Sequence, residues 1–205
     1  LQEDKKNTII KCGIAEFARK SYSEASTDAI TKSSGVSKGI LFHYFGSKKE
    51  FYCYCLERAL ERLLAEQPGT EAKDFYGIIF SFMDEKIRIC RKYPEEMRFV
   101  NMAARETNSQ VFKQKNEVLS KYIKKTREKS AQIAAKAVAA LSLKVSDTSK
   151  ITDAFNLYIG AIINRYLEMY KENPDMFFLE AEKIKAEVKE YMDFLLFGIV
   201  REERK

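Results

Sequence analysis

The chain has 205 residues, 45% of them hydrophobic and 32% charged, with only 3 prolines and 8 glycines; this is the composition of a soluble globular protein long enough to bury a core. It holds neither an 18-residue apolar run nor an alternating apolar pattern bounded by turn residues, which excludes a membrane-spanning helix and argues against a sheet. The formal net charge of +6 and the pI near 9.0 fit a nucleic-acid partner without demanding one.

In chain order, residues 5–20 carry Ile9, Ile10, Gly13, Ile14, Phe17 and Ala18 in one stripe and read as a first helix. Residues 27–50 then read as two short helices about a glycine turn, with a third helix start directly behind. Gly35 sits where the first of these must end and the chain reverse, a position that favours a left-handed residue. Ser37 is placed to cap the next helix. Ile30, Val36, Leu41 and Phe45 fall on the inner faces, leaving Lys38, Gly39, Ile40, Phe42, His43 and Tyr44 outward. Ser47-Lys48-Lys49-Glu50 is a capping box that starts a helix over residues 47–67, which Pro68-Gly69 stops.

The body reads as longer helices. Residues 72–93 form one, broken by Pro94, which suits the first turn of a short helix ending near Glu106. Residues 108–143 are expected to form one helix, long enough to leave room for a bend or break. Its Lys113, Lys115, Lys121, Lys124, Lys125, Arg127 and Lys129 read as a solvated face rather than a second DNA surface. The helix of Ile151 to Tyr170 and the one entered through Asn173-Pro174 carry broad apolar faces near the chain end. Such faces exceed the needs of one small body, so a four-helix bundle with a twofold mate is expected, with Gly160, Ala161, Asn164, Tyr191, Leu195 and Ile199 at the interface. Full use of both faces inside one protomer is the alternative.

The outward residues of the second short helix suit a DNA groove. Lys38 can meet a phosphate or a guanine edge, Gly39 admits close backbone approach, Ile40 can touch a thymine methyl, and His43 and Tyr44 carry donors for phosphate oxygens. The capping box turns the positive end of the following helix, with Lys48, toward the same backbone. On the string Gly35-Val36-Ser37-Lys38-Gly39, Leu41, His43-Tyr44-Phe45 and Ser47-Lys48-Lys49-Glu50, with Thr27 and Ile30 ahead of it, residues 5–55 resemble the DNA-binding domain of the TetR family of transcriptional regulators.

The resemblance implies DNA contacts from Thr27, Ser37, Lys38, Gly39, Ile40, Phe42, His43, Tyr44 and Lys48. Three positions depart from the family pattern. Phe42 replaces a tyrosine and removes a hydroxyl contact. Thr31 replaces a small alanine at the helix crossing and is expected to open the interhelical angle slightly. Ser21 replaces a glycine after the first helix, where a left-handed residue would cost ~1 kcal/mol. The resemblance also implies a small-molecule cavity among the body helices, and Phe99, Met102, Arg105, Phe155, Tyr158 and Arg165 are the candidates to line it, with Asn101 and Asn156 as further polar groups. An inward Arg165 would favour an acidic or acyl ligand; a surface or interface arginine is the other reading.

His43 is the only histidine, which removes histidine-based triads and His-rich metal sites. No phosphate loop, dinucleotide glycine motif or nucleophile elbow is present. Catalytic residues, cofactors and metals are therefore not expected. Cys12, Cys53, Cys55 and Cys90 lack zinc spacing and read as small buried hydrophobes in a reducing compartment, with Cys53 and Cys55 on different faces of their helix. No secretory signal is visible, and a cytoplasmic location is expected by default.

The fold class expected is all-α, with a helix-turn-helix domain over residues 1–46 and an effector-binding and dimerisation domain over residues 47–205. The function expected is a homodimeric regulator, a repressor, that binds a palindromic double-stranded operator and is released by a largely apolar small molecule, with no membrane partner. A nonspecific DNA-binding protein, or a small-molecule binder with a weak DNA head, is the alternative.

Overall fold

The computed structural model describes residues 3–65, 71–143, 147–170, 173 and 175–198, and every regular element among them is a helix. The helices are α1 (Glu3–Phe17), α2 (Thr27–Ser34), α3 (Lys38–Phe45), α4 (Lys48–Ala65), α5 (Phe75–Lys92), α6 (Pro94–Arg105), α7 (Ser109–Ala139), α8 (Ser149–Met169), α9 (Asp175–Leu179) and α10 (Ala181–Phe197). They divide into two compact units, residues 1–67 with 89–125 and residues 68–88 with 126–205, so α5 and α7 contribute to both.

The first unit is built around aromatic rings. Phe17 of α1 stacks on Phe99 of α6 at 5.5 Å between centroids and meets Tyr52 of α4 edge-on at 4.8 Å. Tyr52 in turn meets Phe99 at 5.1 Å and Tyr22 at 5.3 Å, edge-to-face geometries that suit the ring quadrupoles. Gly13 lets α1 lie against α4, because a Cβ there would stand 2.6 Å from Phe51 Cζ. Charged contacts close the edges: Arg62 of α4 pairs with the buried Glu96 of α6 at 2.6 Å, and Arg19 pairs with Glu95 at 2.9 Å.

Helix α4 is buried on more than one face. Cys53 and Cys55 are therefore both inside despite their spacing of two, and burial pushes the Cys53 thiol up to about 11. Cys12 and Cys90 are half-buried, and none of the four cysteines is in a disulfide.

The second unit packs Phe75, Ile78 and Ile79 of α5, Ala137 and Val138 of α7, Phe155, Ile162 and Tyr166 of α8, and Ile184, Val188 and Met192 of α10 into one core. Tyr76 donates to Asp193, whose other oxygen accepts from Lys189 at 2.6 Å. Lys185 reaches Asp84 at 2.8 Å.

The one helix expected over residues 108–143 is present as Ser109–Ala139. Other sequence expectations are corrected. Lys115 does not belong to a solvated face: it is buried with its Nζ near Ala104 O at 3.5 Å and over the Phe112 ring at 5.2 Å. Burial pulls its pKa down, against the pull of Glu106; a long aliphatic stem can pack under a ring as a hydrophobe does. The last apolar segment is two helices, α9 and α10, not one. Pro68, Gly69, Pro174 and Ile199, to which the sequence assigns turns, a helix start and an interface position, lie outside the described residues.

Candidate nucleic-acid interface

Local chemistry builds the motif of α2, its turn and α3. Ser26 caps α2 by accepting from Ala29 N–H, and its own N–H donates to Glu16 Oε1 at 2.9 Å. Burial raises the Glu16 carboxyl, but bonds from Lys20 and Ser26 outweigh it and hold the group below its ordinary range. Gly35 closes α2 at φ 67° and ψ 28°, and its N–H turns back to cap the helix. Ser37, extended at φ −80° and ψ 157°, caps α3 by accepting from Ile40 N–H at 3.2 Å. Ile30, Val36, Leu41 and Phe45 are all buried, the inner faces expected of them.

The capping box is formed as the sequence reads it. Ser47 N–H and Oγ–H both donate to Glu50 Oε2, at 2.7 and 2.9 Å, and Glu50 N–H donates back to Ser47 Oγ at 3.2 Å. The backbone bond and the hydroxyl bond from Ser47 together hold the Glu50 carboxyl below its ordinary range.

A Gly35→Ala chain has room for the methyl group, since nothing lies within 4 Å of a Cβ there. The left-handed φ is nevertheless disfavoured for alanine, so a loss of ~1–2 kcal/mol in chemical denaturation is expected. An unchanged midpoint would show that the turn does not hold that conformation in solution.

Ser37, Lys38, Gly39, His43 and Tyr44 are exposed, with the His43 and Tyr44 rings edge-on at 5.0 Å. Thr27 and Lys48 are half-buried. Ile40 and Phe42 are not fully outward as expected: both are half-buried and pack against the first core. With eight residues in α3 and two of its positions already taken by Leu41 and Phe45, the flanking apolar side chains lean into the same core rather than stand free. Lys48 lies over the Tyr22 ring at 4.8 Å with its Nζ 3.4 Å from Ser23 O. Burial lowers its pKa while Glu16 raises it.

Thr31 is buried and its hydroxyl donates to Asp28 O at 3.1 Å. Ser21 carries no left-handed strain, because no residue other than glycine has positive φ among the described ones; its N–H and hydroxyl are satisfied by Glu24 instead.

Two contacts at this face have no counterpart in the sequence reading. Lys38 Nζ pairs with Asp28 Oδ1 at 2.8 Å, joining the first turns of α3 and α2. Glu106, just after α6, accepts from Tyr22 N–H at 2.7 Å and from Asn108 N–H at 2.8 Å, which ties the loop ahead of α2 to the corner between α6 and α7. An acid in the opening turn of α2, where Asp28 stands, was the signal available for the first; the second joins residues 84 apart and had none.

The other candidate positions divide between the units. In the first, Phe99 is fully buried in the aromatic core, and Met102 and Arg105 are exposed on α6. In the second, Phe155 is core, Tyr158 is exposed on α8, and Arg165 is a surface residue whose guanidinium bonds Glu187, a carboxylate that also accepts from Tyr166. Arg165 therefore does not point inward to orient an acid. The second unit also holds an open cleft of about 740 Å³ lined by Glu71, Ala72, Lys73, Ile78, Lys136, Ala139 and Ala140, none of them a residue singled out from sequence. Gly160 is half-buried with open space beside it, Ala161, Asn164 and Leu195 are exposed, and Tyr191 is half-buried. Among the described residues there is no group of three or more His, Cys, Asp and Glu placed to hold a metal, and no helix long and apolar enough to cross a membrane.

Two short helices joined by a glycine turn, with a third helix directly behind, have the arrangement of a helix-turn-helix motif. Residues 9–53 match the family model described as bacterial regulatory proteins, tetR family. The similarity covers the helix-turn-helix segment, where the residues read from sequence as the DNA-binding face lie. No curated protein matches it. Its fold is similar to that of a TetR family transcriptional regulator from Chloroflexus aurantiacus, at 20% identity, TM-score 0.59 and coverage of 98% of this chain and 95% of that one. A putative TetR-family regulator from Syntrophomonas wolfei is 16% identical, TM-score 0.59, with 99% and 100% covered. NalD of Pseudomonas aeruginosa, the secondary repressor of the MexAB-OprM multidrug efflux pump, is 15% identical, TM-score 0.55, with 98% of each chain covered.

Proposed function

We propose that this regulator is a repressor that binds a palindromic operator as a homodimer and leaves it when a small, largely apolar effector binds. Residues 1–46 are the DNA-reading head and residues 47–205 the effector-binding and dimerisation part. The observation that carries the reading is an apolar face left over in the protomer. Helices α8 and α10 have already buried Phe155, Ile162, Tyr166, Ile184, Val188 and Met192, yet Leu157, Phe194, Leu195 and Phe197 remain exposed, Leu157 at 73% and Phe197 at 77%. Exposed apolar side chains in this number on two neighbouring helices favour an interaction surface, and a twofold mate would cover it with the same residues.

Such a mate sets two α3 helices in successive major grooves, about 34–36 Å apart. Within each head, Lys38 and Tyr44 stand outward for base edges and phosphates, with Thr27, Ser37, Gly39, His43 and Lys48 beside them. NalD, a repressor of similar fold, supports the repressor sign. The open cleft of the second unit, where Glu71, Lys73 and Lys136 stand beside Ala72, Ile78, Ala139 and Ala140, is the candidate place for the effector. An effector that favours one body conformation by ~1–3 kcal/mol changes operator affinity 5- to 150-fold.

The test is selection from a random duplex library at physiological salt, repeated with a panel of apolar small molecules. Recovery of a palindrome that one of them releases is the expected result. Retention of duplexes of any sequence would make the chain a nonspecific DNA-binding protein, and retention of none would leave a small-molecule binder with a weak head.

A further inference from the structure

Lys38 is the only residue of α3 with a permanent positive charge, and in the free protein that charge is not free. Its ammonium lies 2.8 Å from Asp28 Oδ1, with the lysine half-exposed and the aspartate 73% exposed. Thr27 and Ser37, the contact candidates next in sequence to Asp28 and Lys38, place this ion pair within the proposed DNA face. An unpaired carboxylate on such a face would only repel phosphate; paired, it can direct the lysine.

We infer that Asp28 is a specificity-determining residue which positions Lys38, holding its ammonium toward base edges and away from indiscriminate contact with the phosphate strand. The inference rests on the reading of Lys38 as a base-reading group. An ammonium has three donors. With one of them kept by Asp28, the directions of the other two are restricted, and a guanine O6 or N7 in the groove can be met without breaking the pair. A phosphate on an arbitrary duplex is reached only when Lys38 leaves Asp28 and the carboxylate is left facing the strand. The pair thus opposes sequence-independent binding, the term that dominates affinity for random DNA, more than it opposes operator binding.

The test is Asp28→Asn, an isosteric change at an exposed position that keeps a hydrogen-bonding side chain near the start of α2. Affinities are measured for a duplex selected by the wild-type chain and for a random-sequence duplex of equal length, in the wild-type and Lys38→Ala backgrounds. The random duplex is expected to bind about two- to fivefold more tightly, the range of an exposed ion pair, while the selected duplex gains less, so discrimination falls. In the Lys38→Ala background the gain disappears. Equal gains on both duplexes, or a gain that persists without Lys38, would overturn the inference and make Asp28 a simple repulsive charge. A wild-type chain that selects no sequence fails the base-reading assignment itself, a result distinct from undiminished discrimination in Asp28→Asn.

Discussion

On the proposed twofold pairing through α8 and α10, Ala161→Arg is expected to give a monomer and to weaken operator binding by ~10²–10⁴, the avidity that two linked heads provide over one. In the protomer Ala161 is exposed on α8, and its neighbour Gly160 has open space beside it, so the arginine extends into solvent and the fold is not disturbed. Against a twofold mate the same guanidinium would be buried beside Leu157 and its equivalents without a partner, which is strongly unfavourable. Sedimentation equilibrium reads the mass, and titration of a selected duplex reads the affinity. Binding of each separate head to a half-site stays as it was. A variant that remains dimeric with unaltered affinity would place the interface elsewhere than α8.

Phe99→Ala is expected to destabilise the first unit by ~3–5 kcal/mol, the usual cost of truncating a buried phenylalanine. The ring is fully buried between Phe17 and Tyr52, and those neighbours belong to α1 and α4, the helices on which α2 and α3 rest. Against a total of ~5–15 kcal/mol for a typical domain this is a large share, so urea denaturation followed by aromatic signals shows an early transition and DNA affinity falls with the folded fraction. Ile123→Ala is the control: that side chain is 46% exposed, and a change near ~0.5 kcal/mol is expected, the range of surface substitutions. A Phe99→Ala chain as stable as Ile123→Ala would contradict the packing of α6 onto α1 and α4.

What could be read from sequence was what short-range chemistry decides. Gly35, Ser37 and the Ser47–Glu50 box act within four residues of chain, and the observed dihedrals and hydrogen bonds match the expectation. The apolar stripe of α1 and the break at Pro94 were legible for the same reason. The misreadings concern side chains whose environment comes from distant chain. Lys115 counts as polar in any periodic pattern, yet α6 and Phe112 cover it. Ile40 and Phe42 look outward on a helical wheel, but α3 is too short to keep its apolar residues clear of the core. Ser21 was judged by the residue usually found there, whereas Glu24 gives its loop a route without positive φ. The Asp28–Lys38 pair spans two helices at an angle that spacing alone does not fix.

The central claim is that two copies of the segment from Lys38 to Tyr44 are held at one helical repeat by a paired α8–α10 bundle. Hydroxyl-radical and guanine-methylation footprints of the chain on a selected duplex, with the protein-to-duplex ratio measured alongside, test it most directly. Two protected patches on one face of the duplex are expected, centred about 34–36 Å apart, from two protomers, with guanines shielded in the major groove of each. One patch from one protomer, or even protection along the whole duplex, would contradict it.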